Sequence, residues 1–371
     1  MLKPLVKYPG GKERELKYII PNLPHNINRY YEPFVGGGAV YFAIQPKAKE
    51  YLINDKSRDL TLLYKAVRKQ DEDFFAFIAD MNKSWKASSI EAATKAVLLW
   101  PKFSKVKSES YLKEIENLDY SNELLDCFDN EEIVLTELKN NITRKVKFLF
   151  RQEKKGKKIT EEGFTDIINT AFKSAVYMYY RYLYNLPENN KTDSEKAALY
   201  LFIRQYAYSS MFRFSKSGKF NVPYGGKSYN NIFLGDKVKY YRSEKLIDYL
   251  NNSIIENKDF EDFLTCYVPR KEDFLFIDPP YDSDFSKYDN NAFDAQEQRR
   301  LANYLINKTM ANWMIVIKDS PLVRKLYRER DMTANGEHVY INDFKKKYSV
   351  NFKNRNSQKT RHLIITNYAL N

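Results

Sequence analysis

At 371 residues the chain is long enough for a full hydrophobic core and for two or three domains. A formal charge of +13 with 15% aromatic residues points either to a polyanion whose bases can be stacked upon or to a lysine-rich proteome. Two cysteines and three histidines exclude a zinc framework and a disulfide scaffold, so no metal is expected. The start, Met1-Leu2-Lys3-Pro4, has no apolar leader and no run is long enough to span a membrane, so the expectation is a soluble, cytoplasmic chain in a reducing compartment.

In chain order, Lys7-Tyr8-Pro9-Gly10-Gly11-Lys12 is a turn, and a helix from about Glu13 to Ile20 follows until Pro21 stops it. Paired glycines let backbone approach a ligand, and the lysines and ring add charge and stacking; a bare surface turn would look similar. Arg29 to Pro33 reads as a strand leading into Phe34-Val35-Gly36-Gly37-Gly38, after which helical character resumes. Strand, glycine turn and helix form the arrangement that cradles a nucleotide or adenosyl group. The glycine spacing fits neither the phosphate loop nor the dinucleotide fingerprint. A second strand, Glu50 to Ile53, ends at Asn54-Asp55, which places Asp55 to accept a ribose hydroxyl or to cap the next helix.

From Leu60 to about Tyr208 helical periodicity dominates, best over 73–81, 89–100, 161–184 and 194–206. The Tyr177 to Tyr182 cluster is expected in a helix core, and the basic stretch Lys139 to Lys158 is either a solvated face or a phosphate-binding arm. Next, aromatic residues alternate on either side of Ser217-Gly218, a hairpin signal spanning about 207–226. Arg213, Lys216, Lys219 and Asn221 would give that ribbon a surface for a DNA groove.

A strand beginning at Ile254 leads to Asp259-Phe260, which would hold the adenine of a cofactor. Phe274 to Ile277 is a buried strand that stops at Asp278-Pro279-Pro280-Tyr281, because proline has no N–H for the ladder. A carboxylate, a proline carbonyl and a ring at a strand's carboxyl edge suit a planar amine. The bland alternative is a strand stop with a partly buried tyrosine. A polar loop (282–293), a helix (294–307), a strand (313–317) and a final strand pair (337–343 and 362–367) return the chain to an α/β domain split by a helical insertion.

The motifs at Lys7 to Lys12, Glu32 to Val40, Asp55, Phe220-Asn221-Val222-Pro223 and Asp278 to Tyr281 occur in an order that resembles the Dam-type (D12 class, alpha group) DNA adenine-N6 methyltransferases. The resemblance covers most of the chain. It implies a Rossmann-like methyltransferase sheet over 1–60 and 236–371, and an inserted helical target-recognition domain over 61–235. It further implies S-adenosylmethionine as cofactor, with Tyr8, Lys12, Phe34, Gly36, Gly37, Gly38, Asp55, Asp259, Phe260 and Asp278 around it. Asp278, Pro279, Pro280 and Tyr281 would receive a flipped-out adenine of double-stranded DNA, Asp278 and the Pro279 carbonyl accepting the N6 hydrogens and Tyr281 stacking. The setting would be an orphan methylase or the functional partner of a restriction endonuclease. Tyr8 stands where the family often has Trp, and Ser209, Ser210 and Ser215 replace residues near the bases, so a GATC target does not follow. Cytosine-N4 or RNA adenine methylation, and a catalytically silent DNA-binding relative, are the alternatives.

Overall fold

In the computed structural model, residues 2–8, 10–44, 47–105, 110–280, 293–346 and 360–370 are described. Tyr281 and the polar loop over 282–292 lie outside them, as does Pro9. Among the described residues, no helix is long and apolar enough to cross a membrane.

The chain separates into two compact units, one formed by 1–68 and 244–371, the other by 69–243. The first is built on Ile27–Glu32 (β1), Ala48–Asn54 (β2), Ser253–Glu256 (β3), Phe274–Ile277 (β4), Asn312–Lys318 (β5), Tyr340–Lys346 (β6) and Thr360–Thr366 (β7). These form one sheet in the order β3-β2-β1-β4-β5-β7-β6. Strands β1 to β5 run parallel, while β7 runs antiparallel to both β5 and β6. The all-apolar Phe-Leu-Phe-Ile of β4 is buried along its whole length, as a central parallel strand requires. Leu275, Ile277, Trp313 and Ile315 of β4 and β5 belong to a core cluster with Phe263, Leu264, Leu301 and Leu305 from the helices. Tyr30, Tyr41, Tyr51 and Tyr249 form a ring cluster whose Tyr41–Tyr249 and Tyr51–Tyr249 centroids are both 4.7 Å apart.

Because β1 to β4 are parallel neighbours, their carboxyl ends share one edge of the sheet. That edge carries the glycine turn after β1, Asp55 after β2, Asp259 after β3 and Asp278 after β4. Four motifs separated by up to 240 residues in sequence are thereby brought to one place.

The second unit is mainly helical. Helices Glu131–Lys154, Glu161–Tyr184 and Asp193–Tyr206 begin at Asn130, Thr160 and Thr192, whose side chains each accept an N–H from the first turn. The two helices expected over 73–81 and 89–100 are one, Glu72–Lys105. The intervening Asn82 to Ser88 contains no helix breaker, and Trp85, Ser84 and Ser88 are buried on the inner face. Tyr177, Tyr179 and Tyr180 are core residues, as the sequence suggests, while Tyr182 is exposed. The expected division points at 60 and 236 fall inside the helices Arg58–Lys69 and Gly235–Tyr241, which periodicity alone does not assign to either unit.

The hairpin forms without a regular ladder. Phe214 and Phe220 make a single antiparallel bridge, and the Ser215 N–H donates to the Lys219 carbonyl (2.8 Å) across a turn where Gly218 has φ +74°. Its rings turn toward the helices instead: Phe212 lies 5.5 Å from Tyr200, and Phe220 5.9 Å from Tyr184.

Candidate active site

The glycine turn is shaped by contacts that no side chain would tolerate. Gly36 and Gly38 have φ of +50° and +81°, the left-handed region that glycine enters without cost. A Cβ at Gly37 would stand 2.6 Å from the Val6 carbonyl oxygen, and one at Gly38 2.5 Å from the Tyr64 hydroxyl. At Gly36 it would meet the Tyr8 ring at 3.0 Å, so Tyr8 lies against the turn. The Tyr64 hydroxyl donates to the Gly36 carbonyl (3.1 Å) and the Leu5 N–H to that of Gly37 (3.2 Å). The turn is therefore held from both sides before any ligand arrives.

Asp55 fills the capping role that its position suggests and also braces the glycine turn. One carboxylate oxygen accepts the Gly36 N–H (3.0 Å) and the other the Ser57 N–H (2.9 Å), so Asp55 joins the turn to the start of the next helix. Asn54, whose acid neighbour drew attention first, is the structural hub: its side-chain amide donates to the Pro33 and Lys258 carbonyls (3.0 Å each) and accepts the Lys258 N–H (2.9 Å). The ends of β1, β2 and β3 are thus tied by one buried side chain.

At β4, Lys12 Nζ donates to the Gly10 carbonyl (3.1 Å) and to Asp278 Oδ1, forming an ion pair in which the lysine is 2% exposed and the aspartate 20%. The first motif and the Asp-Pro-Pro corner are thereby one site. Pro279 is buried, and the Pro280 carbonyl accepts from Gln298 Nε2 (3.0 Å), a buried side chain of the helix Ala295–Asn307. Gln298 escapes sequence reasoning, because a glutamine on an amphipathic helix carries no motif of its own, and Glu32, although it opens the motif Glu32 to Val40, is given no role there.

Glu32 is fully buried, and its Oε2 accepts the Tyr30 hydroxyl hydrogen (2.6 Å). Burial drives its carboxyl well above the usual range; the Tyr30 bond opposes this, and the nearby Asp278 charge adds to it. The two carboxyls at adjacent strand ends thus differ in setting: burial raises that of Glu32, while Asp278 is paired to Lys12.

Asp259 and Phe260 are more occupied than their sequence suggests. Asp259 caps its helix by accepting the Glu261 N–H (3.0 Å) and pairs with Arg300 (2.6 Å). Phe260 is 3% exposed, with the Arg300 guanidinium over its ring at 4.5 Å and Phe34 at 5.6 Å. As placed, Phe260 is a core ring, and the half-buried Phe34 is the aromatic nearer the turn. In the helical unit, Arg213 Nε donates to Asn221 Oδ1 (2.9 Å), joining two of the four hairpin residues, while Lys216 and Lys219 are exposed at the tip.

A mostly parallel sheet with a glycine turn, an acid and an Asp-Pro-Pro corner along one carboxyl edge is the layout of an α/β enzyme whose ligand sits outside those strand ends. The sequence model of the D12 class N6 adenine-specific DNA methyltransferases matches residues 8–341, and the chain belongs to that family. It is 28% identical over 315 residues to the type II methyltransferase M.MjaIII of Methanocaldococcus jannaschii, covering 82% of this chain and 79% of that protein. It is 24% identical to the type II methyltransferase M.CviBI of Paramecium bursaria Chlorella virus NC1A, across 99% of this chain and the whole of the other. A third relative, the retron Ec67 DNA adenine methylase of Escherichia coli, is 30% identical over 152 residues, or 40% of this chain and 48% of that protein.

Proposed function

We propose that this chain uses S-adenosylmethionine to methylate N6 of an adenine flipped out of duplex DNA. The observation that carries the reading is the Lys12–Asp278 pair, which joins the glycine-bearing N-terminal motif to the Asp-Pro-Pro corner. S-adenosylmethionine, when bound, supplies an activated methyl group. The glycine turn and Asp55 stand at the carboxyl edge of the sheet where such a group would bind, with the Tyr8 ring beside the turn and Asp55 bonded to the Gly36 N–H. Tyr8 and Phe34 flank the turn, and Asp259 and Phe260 secure the end of β3 beside it.

The chain's own residues account for the rest. Asp278 Oδ2 and the Pro279 carbonyl accept the two N6 hydrogens, which orients the nitrogen lone pair and favours its change from planar to tetrahedral. Lys12 holds Asp278 in its ionised form and in one orientation. Asp278 is an acceptor more than a strong base, because the amine proton becomes acidic only once nitrogen carries a fourth bond. Tyr281 is the stacking partner for the extruded base. Target choice falls to the hairpin through Arg213, Lys216, Lys219 and Asn221, so the unit 69–243 is the target-recognition domain. The homology to type II methyltransferases favours a restriction-modification setting, the endonuclease being a functional partner.

Expression in a methylation-free host followed by single-molecule mapping of N6-methyladenine tests the reading. One methylated motif is expected, and Arg213→Ala should change motif choice or DNA affinity while S-adenosylmethionine affinity stays within about twofold. Equal loss of cofactor binding in that variant would remove the hairpin from target recognition.

A further inference from the structure

The helix Glu131–Lys154 divides by charge along its length. Its first turn is acidic, whereas residues 139–158 hold nine lysines and arginines against the single acid Glu153. Val134, Leu138, Ile142, Val146 and Leu149 face the core. On the opposite side Arg144, Lys147, Phe148, Arg151, Lys154 and Lys155 are exposed, at spacings of one to four residues that keep them on one stripe. Among the described residues, Lys147, Arg151, Lys154, Lys155, Lys157 and Lys158 form no ion pair with a carboxylate. The neighbouring Lys145 ammonium is pushed down mainly by its burial and secondarily by the Arg144 charge. Glu161 and Glu162 come next in sequence, in the first turn of the following helix where they meet its dipole.

The stripe has a defined place relative to the hairpin, because both rest on the helix Glu161–Tyr184. Thr170 and Ser174 lie on one face of that helix. Thr170 Oγ1 accepts from Asn230, just past the hairpin (3.0 Å), the Tyr177 hydroxyl donates to the Val222 carbonyl of the hairpin's return strand (3.0 Å), and the Ser174 hydroxyl donates to Asn141 of the basic helix (2.8 Å). The two tracks therefore lie side by side. The hairpin is fastened at one end, where Asn185 exchanges two hydrogen bonds with the Phe220 backbone (2.8 and 3.0 Å). The lysine-rich turn 154–158 stands at the other end, where Gly156 reverses the chain at φ +79°. A helix of 24 residues is about 36 Å long, which is about one turn of duplex DNA.

We propose that this stripe and the turn at Lys154, Lys155, Lys157 and Lys158 are a second DNA contact, made to backbone phosphates about one helical turn from the hairpin. It gives the protein a footprint longer than its target sequence. The inference rests on the reading of the hairpin as the target-contacting element. Steps of three or four residues along the stripe set cations about 5–6 Å apart, a spacing suited to successive phosphates. Such contacts carry no base information; they raise affinity and its dependence on salt.

The test compares full-length wild type with Lys154→Gln/Lys155→Gln/Lys157→Gln/Lys158→Gln on two duplexes carrying the mapped methylation motif. One duplex ends about 4 bp beyond the motif, the other about 14 bp beyond it on each side, one turn further. On the long duplex the variant should bind about tenfold more weakly near physiological salt, and its slope of log affinity against log salt should be shallower by about 2 or more. On the short duplex affinity and kcat should match wild type, and the all-arginine quadruple variant should restore both long-duplex values. Equal slopes for wild type and variant on the long duplex would overturn the proposal, as would an equal loss on both duplexes. Failure of the hairpin reading registers separately, as an Arg213→Ala protein that methylates the same sites with the same kcat/KM.

Discussion

Lys12 and Asp278, 266 residues apart, form a largely buried ion pair that couples the amino-terminal turn to the end of the central strand. Removing one partner leaves an uncompensated charge, at a cost near the low end of the usual 3–5 kcal/mol because Asp278 keeps some contact with water. Lys12→Met and Asp278→Asn should each lower unfolding stability by about 3 kcal/mol, and the double variant should recover most of that loss. Activity should fall by about 100-fold or more in Asp278→Asn and should not return in the double variant. Denaturant titrations with methyl-transfer assays on the three proteins check this; a double variant as unstable as the sum of the singles would show that the pair is not coupled.

That pairing also marks where the sequence was informative. The glycine turn, Asp55 and Asp278 were legible because each ends an apolar run whose strand character is plain, and parallel strands must bring such ends to one edge. Lys12 was legible as a turn residue and, through the resemblance, as a cofactor contact, but nothing local says that its side chain reaches Asp278. The roles of Asn54, Glu32 and Gln298 were not legible, although Glu32 opens a recognised motif, because they depend on backbone groups or charges supplied by other segments. Phe260 was legible as an aromatic at a strand tip, but not that Arg300 and Phe34 pack against it. The long helix Glu72–Lys105 was read as two because the segment joining its halves, Asn82 to Ser88, offers only one large apolar residue, Trp85, to continue the apolar period.

Glu32 should tolerate an amide. Its carboxyl is raised above the ordinary value of 4.5, chiefly by burial, so the folded state holds a proton that the unfolded chain has lost. This contribution is fully present below pH 4.5 and is lost as pH rises through the folded value. Glu32→Gln keeps an acceptor for Tyr30 and should remain within about 1 kcal/mol of wild type near neutral pH, without that decline. Chemical unfolding across pH 5 to 9 measures it, and a loss as large as that of Glu32→Ala would mean that the carboxylate is charged.

Two glycines with the same backbone angle should respond differently to alanine. Gly10 and Gly38 both have φ of +81°, but a Cβ at Gly10 meets nothing within 4 Å, whereas at Gly38 it strikes Tyr64 and Phe42. Gly10→Ala should cost about 1 kcal/mol from backbone strain alone. Gly38→Ala should cost more than twice that and abolish S-adenosylmethionine binding by calorimetry. Similar behaviour of the two would mean that the turn yields to accommodate a side chain.

Lys173, fully buried in the helical unit, donates to the Trp85 carbonyl and lies 4.3 Å from the centre of that ring. Burial pushes its ammonium down from 10.5 to about 7. Between those values the unfolded chain binds the extra proton, so stability rises with pH across this window and is lost as pH falls toward 7. The slope should approach about 1 kcal/mol per pH unit. Lys173→Met should flatten it and be the more stable protein at pH 7; an unchanged slope would assign the effect to other groups.

The central claim is tested most directly by supplying methyl-labelled S-adenosylmethionine and duplex DNA to wild type and Asp278→Ala, then identifying the labelled base. The expected result is N6-methyladenine from the wild type alone, with the variant still folded and still binding the methyl donor. Label recovered as N4-methylcytosine, or turnover by Asp278→Ala at the wild-type rate, would contradict the account.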